Sequence, residues 1–163
     1  MDYSNLIIIS IDDLRFDCIS CEKDKRLLRQ YGADKLVDTP TLDQLAKNGV
    51  RFTNCVSTSS YTPPSHASLL TGLYPKNSMV KTFFTKLPEN ILTLPEILSK
   101  KGYKTYAWTE HLALAMLNIT KGIQNITQPF KEKNANLFEF LEKIAKVHDK
   151  KFIFIHLFDV HKP

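Results

Sequence analysis

The sequence predicts an α/β fold with a largely parallel sheet flanked by helices. Three observations carry that prediction. Leu6 to Ile11 is an unbroken apolar, β-branched run, Phe152 to Phe158 is a second, and helix-like and strand-like patterns alternate between them. Of the 163 residues, 43% are hydrophobic and 24% charged, which suffices for one sizeable core and leaves no sign of disorder, collagen-like repetition or a disulfide scaffold. A single domain over residues 1–163 is expected.

Leu6 to Ile11 reads as a strand buried on both faces. Asp12 and Asp13 follow at its carboxyl end, where ligands of open α/β sheets gather. A charged helical stretch is expected near Lys25 to Tyr31, and Thr39-Pro40-Thr41 introduces a short helix, Leu42 to Lys47, closed by Asn48-Gly49. Val50 to Val56 alternates like a strand and ends in a Ser/Thr-rich loop. Thr62 as N-cap, Pro63 as first helical residue, the apolar pair Leu69 and Leu70, and Gly72 as stop predict the next helix. Ile91 to Lys101 is expected as a helix stopped by Gly102, and Lys104 to Thr109 as a strand. Asn134 to Val147 carries Leu137, Phe138, Leu141, Ile144 and Ala145 at helical spacing. The chain ends at Pro163 on the edge of its last strand, an ending expected of a piece of a longer protein.

The net charge of +5 comes mainly from scattered lysines without an interleaved aromatic stripe. That pattern is a solvated surface with some pull on anionic substrates, and it argues against nucleic acid as a partner. Cys18 and Cys21 form a C-x-x-C pair, with Cys55 left over. Half a zinc site or a redox pair could look like this, but no second pair completes a zinc knuckle, so reduced thiols in a cytoplasmic protein are expected. The apolar run after Asn5 is too short for a membrane span and lacks the charged front and cleavage site of a secretory signal. Asn118-Ile119-Thr120 and Asn125-Ile126-Thr127 match the glycosylation sequon, which carries little weight without a secretory route.

The parts of a metal-assisted attack on a tetrahedral oxyanion are present. A helix start offers backbone N–H groups and a positive dipole end, which suit a phosphate or sulfate group. Asp12, Asp13 and the Thr62 oxygen are the hard ligands that one divalent cation (Ca, Mg, Mn or Zn) takes, and the cation would acidify the hydroxyl. On the residues alone, capping also accounts for Thr62, and an Asx turn for Asp12-Asp13.

The segments Asn5 to Arg15, Asp38 to Ala46 with Gly49 to Asn54, Pro64-Ser65-His66 through Thr71-Gly72-Leu73-Tyr74-Pro75, Thr93 to Leu98, Gly102 to Thr105 and Phe158 to Pro163 together resemble the N-terminal part of the sulfatase family, within the alkaline-phosphatase superfamily. The resemblance covers nearly the whole chain in order and spacing. It implies that Asp12 and Asp13 bind the metal, that Thr62 holds the nucleophile position, and that His161 lies near the anionic group of an ester substrate. His111, in Thr109-Glu110-His111, weakly echoes the family's Lys-x-His segment and is a second substrate-binding candidate.

The family signature places Cys or Ser where Thr62 stands and Arg where His66 stands. Threonine cannot become formylglycine, so the resemblance points instead to superfamily relatives that pass phosphoryl groups through a threonine. His66 then either orients the oxyanion and shuttles a proton, as a catalytic residue, or is a structural histidine on the helix face. The family's second pair of ligands, Asp followed by Asn or His, has no equivalent within the 163 residues. Two functions are therefore carried forward. One is a sulfatase-like, metal-dependent hydrolase or phosphotransferase for sulfate or phosphate esters, weak or inactive in this piece alone. The other is a non-catalytic module that binds anions or a partner.

Overall fold

A computed structural model of the chain describes residues 5–22, 30, 38–132 and 135–161. By internal contacts the chain forms two compact units, Met1–Asp12 with Ser57–Val160, and Asp13–Val56 with His161–Pro163. No helix among the described residues is long and apolar enough to cross a membrane. The helix expected near Lys25 to Tyr31 lies almost wholly outside the described residues.

The first unit is built on a four-stranded parallel sheet of β1 (Leu6–Ile11), β2 (Lys104–Thr109), β3 (Asn125–Thr127) and β4 (Lys151–Leu157), in the order β1-β4-β2-β3. The α/β expectation and its parallel sheet are observed. The two predicted apolar runs pair directly, Leu6 opposite Phe152 through Ile11 opposite Leu157. Their roles differ from the expectation, however. The first six residues of β4 are buried, whereas β1 has a partner on one side only among the described residues, and Ile7 and Ile9 are more than half exposed. An apolar run reports a capacity for burial, and burial itself depends on neighbours on both faces.

Period-two alternation along β4 sends Phe152, Phe154 and His156 to one face and Ile153 and Ile155 to the other. Phe152 and Phe154 pack with Ala67, Leu70, Val80 and Leu114 in one core cluster. Ile153 and Ile155 pack with Trp108 and Ile144 in a second, on the opposite face. Helices α2 (Thr62–Thr71) and α5 (Leu112–Met116) serve the first cluster, and α6 (Leu137–Ala145) the second. The remaining helices are α1 (Pro40–Asn48), α3 (Pro75–Ser78) and α4 (Leu94–Lys100).

Local chemistry explains the helix ends. α4 begins later than the apolar pattern suggests because Thr93 and Glu96 form a reciprocal capping box, Thr93 Oγ1 accepting from Glu96 N–H and the Glu96 carboxylate accepting from Thr93 N–H. Gly72 ends α2 in the left-handed region at φ 70°, with its N–H on the Ser68 carbonyl. Thr62 is not the N-cap expected of it. Ser65 N–H donates to the Tyr61 carbonyl, so the first turn opens one residue earlier, and the Thr62 side chain makes no capping bond.

The second unit contains α1 and a short 3-10 turn at Phe16–Cys18. Asp43 ties them together, accepting from Ser20 Oγ at 2.6 Å and Cys21 N–H at 2.9 Å, and the Ser20 bond leads in holding its carboxyl below the usual carboxylate range. Val50 to Val56, predicted as a strand, is irregular instead, with Val50, Phe52 and Val56 about four-fifths exposed. Alternation alone does not make a strand when no ladder partner is at hand. Cys18, Cys21 and Cys55 are free thiols, and among the described residues no three His, Cys, Asp or Glu side chains are grouped to hold a metal ion.

Candidate functional site

Asp12 stands at the carboxyl end of β1, its N–H continuing the ladder onto the Leu157 carbonyl. α2 delivers Thr62 to that point. Thr62 Oγ1 donates to the Asp12 carboxylate, at 3.2 Å from Oδ2 and 3.4 Å from Oδ1. The hydroxyl thus meets the strand-end carboxylate that the sequence singled out with it.

The donor inventory of the helix start is smaller than a helix start normally offers. Four N–H groups precede the first intrahelical donor, those of Tyr61, Thr62, residue 63 and residue 64. Pro63 and Pro64 have none, and Tyr61 N–H is taken by Ser59 Oγ at 3.1 Å. Among the described residues the Thr62 N–H is the one left to face an anion, at the positive end of a ten-residue helix.

His66, one turn along α2, is buried and has both ring nitrogens engaged. Nδ1 lies 2.9 Å from the Thr62 carbonyl, which can only accept, so Nδ1 carries the proton. In the neutral ring Nε2 then accepts from Ser10 Oγ at 2.9 Å. Burial chiefly lowers the His66 pKa below 6.5, against the opposing effects of the Thr62 carbonyl and Asp12, so this neutral form holds at pH 7. His66 therefore ties α2 to β1 and braces Thr62 through its carbonyl.

His156 was not among the residues singled out from the sequence. It is fully buried on β4, its ring 4.9 Å from that of His66 and its Nε2 4.0 Å from Asp12 Oδ2. Neither of its ring nitrogens has a hydrogen-bond partner among the described residues. Burial, reinforced by His66, pushes its pKa down to about 4. A signal was available, since His156 interrupts an otherwise apolar strand in register with Ser10. His111 joins the same cluster edge-on, 6.0 Å from His156 and 5.5 Å from Phe158. Glu110, beside it, accepts from Trp108 Nε1–H at 2.9 Å and from Phe158 N–H at 2.7 Å, which fixes the chain leaving β4.

In the second unit, Asp13 sits in the left-handed region at φ 57°, and its carboxylate lies 3.5 Å from His161 Nε2. These two candidates are thus brought together with each other. A cavity of about 830 Å³ lies against the sheet's other face, lined in part by Trp108, Thr127, Asn136 and Phe140, and contains none of the candidate residues.

A family model described as Sulfatase matches residues 4–163. The chain belongs to the sulfatase family. Among curated relatives it is similar to an ulvan-active sulfatase of Formosa agariphila, 44% identical over 78 residues, a match covering 48% of this chain and 15% of that protein. Among solved structures it shares its fold with the phosphonate monoester hydrolase of Agrobacterium radiobacter, with a TM-score of 0.75 at 18% identity, covering 99% of this chain and 42% of that one. The fold also matches the C-terminal periplasmic domain of EcEptC from Escherichia coli in complex with zinc, with a TM-score of 0.68 at 18% identity, covering 97% of this chain and 44% of that one. The alkaline-phosphatase-like architecture is therefore observed, and the chain spans only a fraction of the length of the relatives it matches.

A divalent cation is the group this family implies. The oxygen donors present fit one end of such a site, because Asp12 Oδ2 and Thr62 Oγ1, 3.2 Å apart, can be shared by one ion at bond lengths of about 2.0–2.6 Å.

Proposed function

We propose that this sulfatase-family chain carries the nucleophile end of an ester-cleaving site, with Thr62 attacking a sulfate or phosphate ester in a metal-dependent hydrolysis or group transfer. The observation that carries the reading is the Thr62 hydroxyl on the Asp12 carboxylate at the end of β1. Asp12 orients the hydroxyl and accepts its hydrogen bond, while His66 holds the first turn of α2 in place through the Thr62 carbonyl. Asp12 and Thr62 would hold the cation, with Asp13 as a further ligand implied by the family resemblance. When bound, the cation would supply acidification of the hydroxyl and polarisation of the ester oxygen. His161 and His111 are the candidates for contact with the anionic group.

Threonine in the nucleophile position excludes the formylglycine route and favours a covalent phospho-threonine, so phosphate esters are the preferred substrate class. The test is the rate of the protein on 4-nitrophenyl sulfate and on bis(4-nitrophenyl) phosphate, with and without divalent metal. Thr62→Ala is expected to lower the metal-dependent rate by at least ~10³-fold, in line with the loss of a nucleophile. Full rate in Thr62→Ala removes Thr62 as the nucleophile, whereas metal-dependent anion binding with no turnover by the unaltered chain leaves a non-catalytic anion-binding module instead.

A further inference from the structure

We propose that His156 supplies a nitrogen ligand to the cation held by Asp12 and Thr62, so that this site selects a transition metal such as zinc over calcium. The inference rests on the reading that Asp12 and Thr62 hold a cation at all.

Three observations support it. First, His156 is completely buried, yet neither ring nitrogen has a partner among the described residues. A buried polar atom without a partner forfeits its hydration with nothing in return, so a ligand that uses it is favoured. Second, the ring is aimed at the right place. Its Nε2 is 4.0 Å from Asp12 Oδ2, which is itself 3.2 Å from Thr62 Oγ1. Neighbouring donors around a tetrahedral ion stand about 3.4 Å apart at bonds of about 2.0–2.1 Å, so bringing His156 Nε2 and Asp12 Oδ2 to that spacing takes a movement of about half an ångström. Third, His66, the nearer of the two histidines packed against His156, is already committed, because its ring nitrogens serve Ser10 and the Thr62 carbonyl.

The chemistry of the donors sets the selectivity. Two oxygens alone suit calcium or magnesium, which take oxygen almost exclusively. An imidazole in the set shifts preference toward zinc or cobalt.

The test is titration of the metal-free protein with Co²⁺, Zn²⁺ and Ca²⁺ by calorimetry, with visible absorption for Co²⁺. The unaltered protein is expected to bind Zn²⁺ and Co²⁺ at least ~10-fold more tightly than Ca²⁺. His156→Gln should lose ~10–100-fold in Zn²⁺ and Co²⁺ affinity with Ca²⁺ affinity unchanged, whereas Asp12→Asn should weaken all three. If Asp12→Asn weakens binding and His156→Gln does not, the cation site stands and the inference fails. If the unaltered protein binds none of the ions, both fail. X-ray absorption of the zinc-loaded, unaltered protein decides the matter even if the buried substitution unfolds the chain. An imidazole scatterer in the first sphere supports His156, and an all-oxygen sphere overturns it.

Discussion

Helices α2 and α6 lie on opposite faces of one sheet, are of similar length, and are held by different means. Six residues of α2 are buried, Pro63, Pro64, His66, Ala67, Ser68 and Leu70, and it has no side-chain cap. α6 buries only Ile144, and Asn136 caps it by accepting from Phe138 and Glu139 N–H. The contrast shows where chemistry can be placed. α2 is fixed by tertiary contacts, including the His66 bond to Ser10, so its first residue is held against Asp12 with little freedom. α6 is stabilised locally and serves as an apolar lid on the other face.

Removing packing on the α2 face should cost most. Phe154→Ala empties a fully buried position beside Ala67 and Leu70, and is expected to destabilise by about 3–5 kcal/mol in urea denaturation. A loss below 1 kcal/mol would mean that α2 is not anchored by this core.

Acid should weaken the same face next. His156 has a folded pKa of about 4 against 6.5 in a free chain, so between those values the unfolded state binds more protons than the folded one. Stability of the metal-free protein is therefore fully present above about pH 6.5 and declines toward pH 4, by about 3 kcal/mol in total, before levelling off. His66 acts in the same direction. His156→Gln should flatten that decline, and an unchanged pH slope in the variant would show that His156 is not the source.

The smallest effect belongs to α6. Asn136→Ala removes the cap alone and should cost about 1 kcal/mol, measurable as a lower Tm with the α2 face intact. A cost comparable to that of Phe154→Ala would erase the distinction between the two helices.

The sequence shows the same division. Strands β1, β2 and β4 and the helices at 40–48, 62–71, 94–100 and 137–145 were legible because apolar runs, prolines and Gly72 act within a few residues. The helices at 75–78 and 112–116 and strand β3 were not, being too short to show a period. Asp12 and Thr62 were legible as strand-end and helix-start residues. His156 was not, because its meaning depends on a neighbour 144 positions away, and strand register is a long-range property.

Pro63 and Pro64 carry a consequence for inhibition. A helix start stripped of most of its donors still exerts its field on an anion, but it has little means of recognising the anion's shape. Attraction is thereby separated from selection. Tetrahedral sulfate, trigonal-bipyramidal vanadate and planar nitrate would all be drawn to Thr62, and discrimination among them would fall to the carboxylate and any cation beside it, not to the backbone.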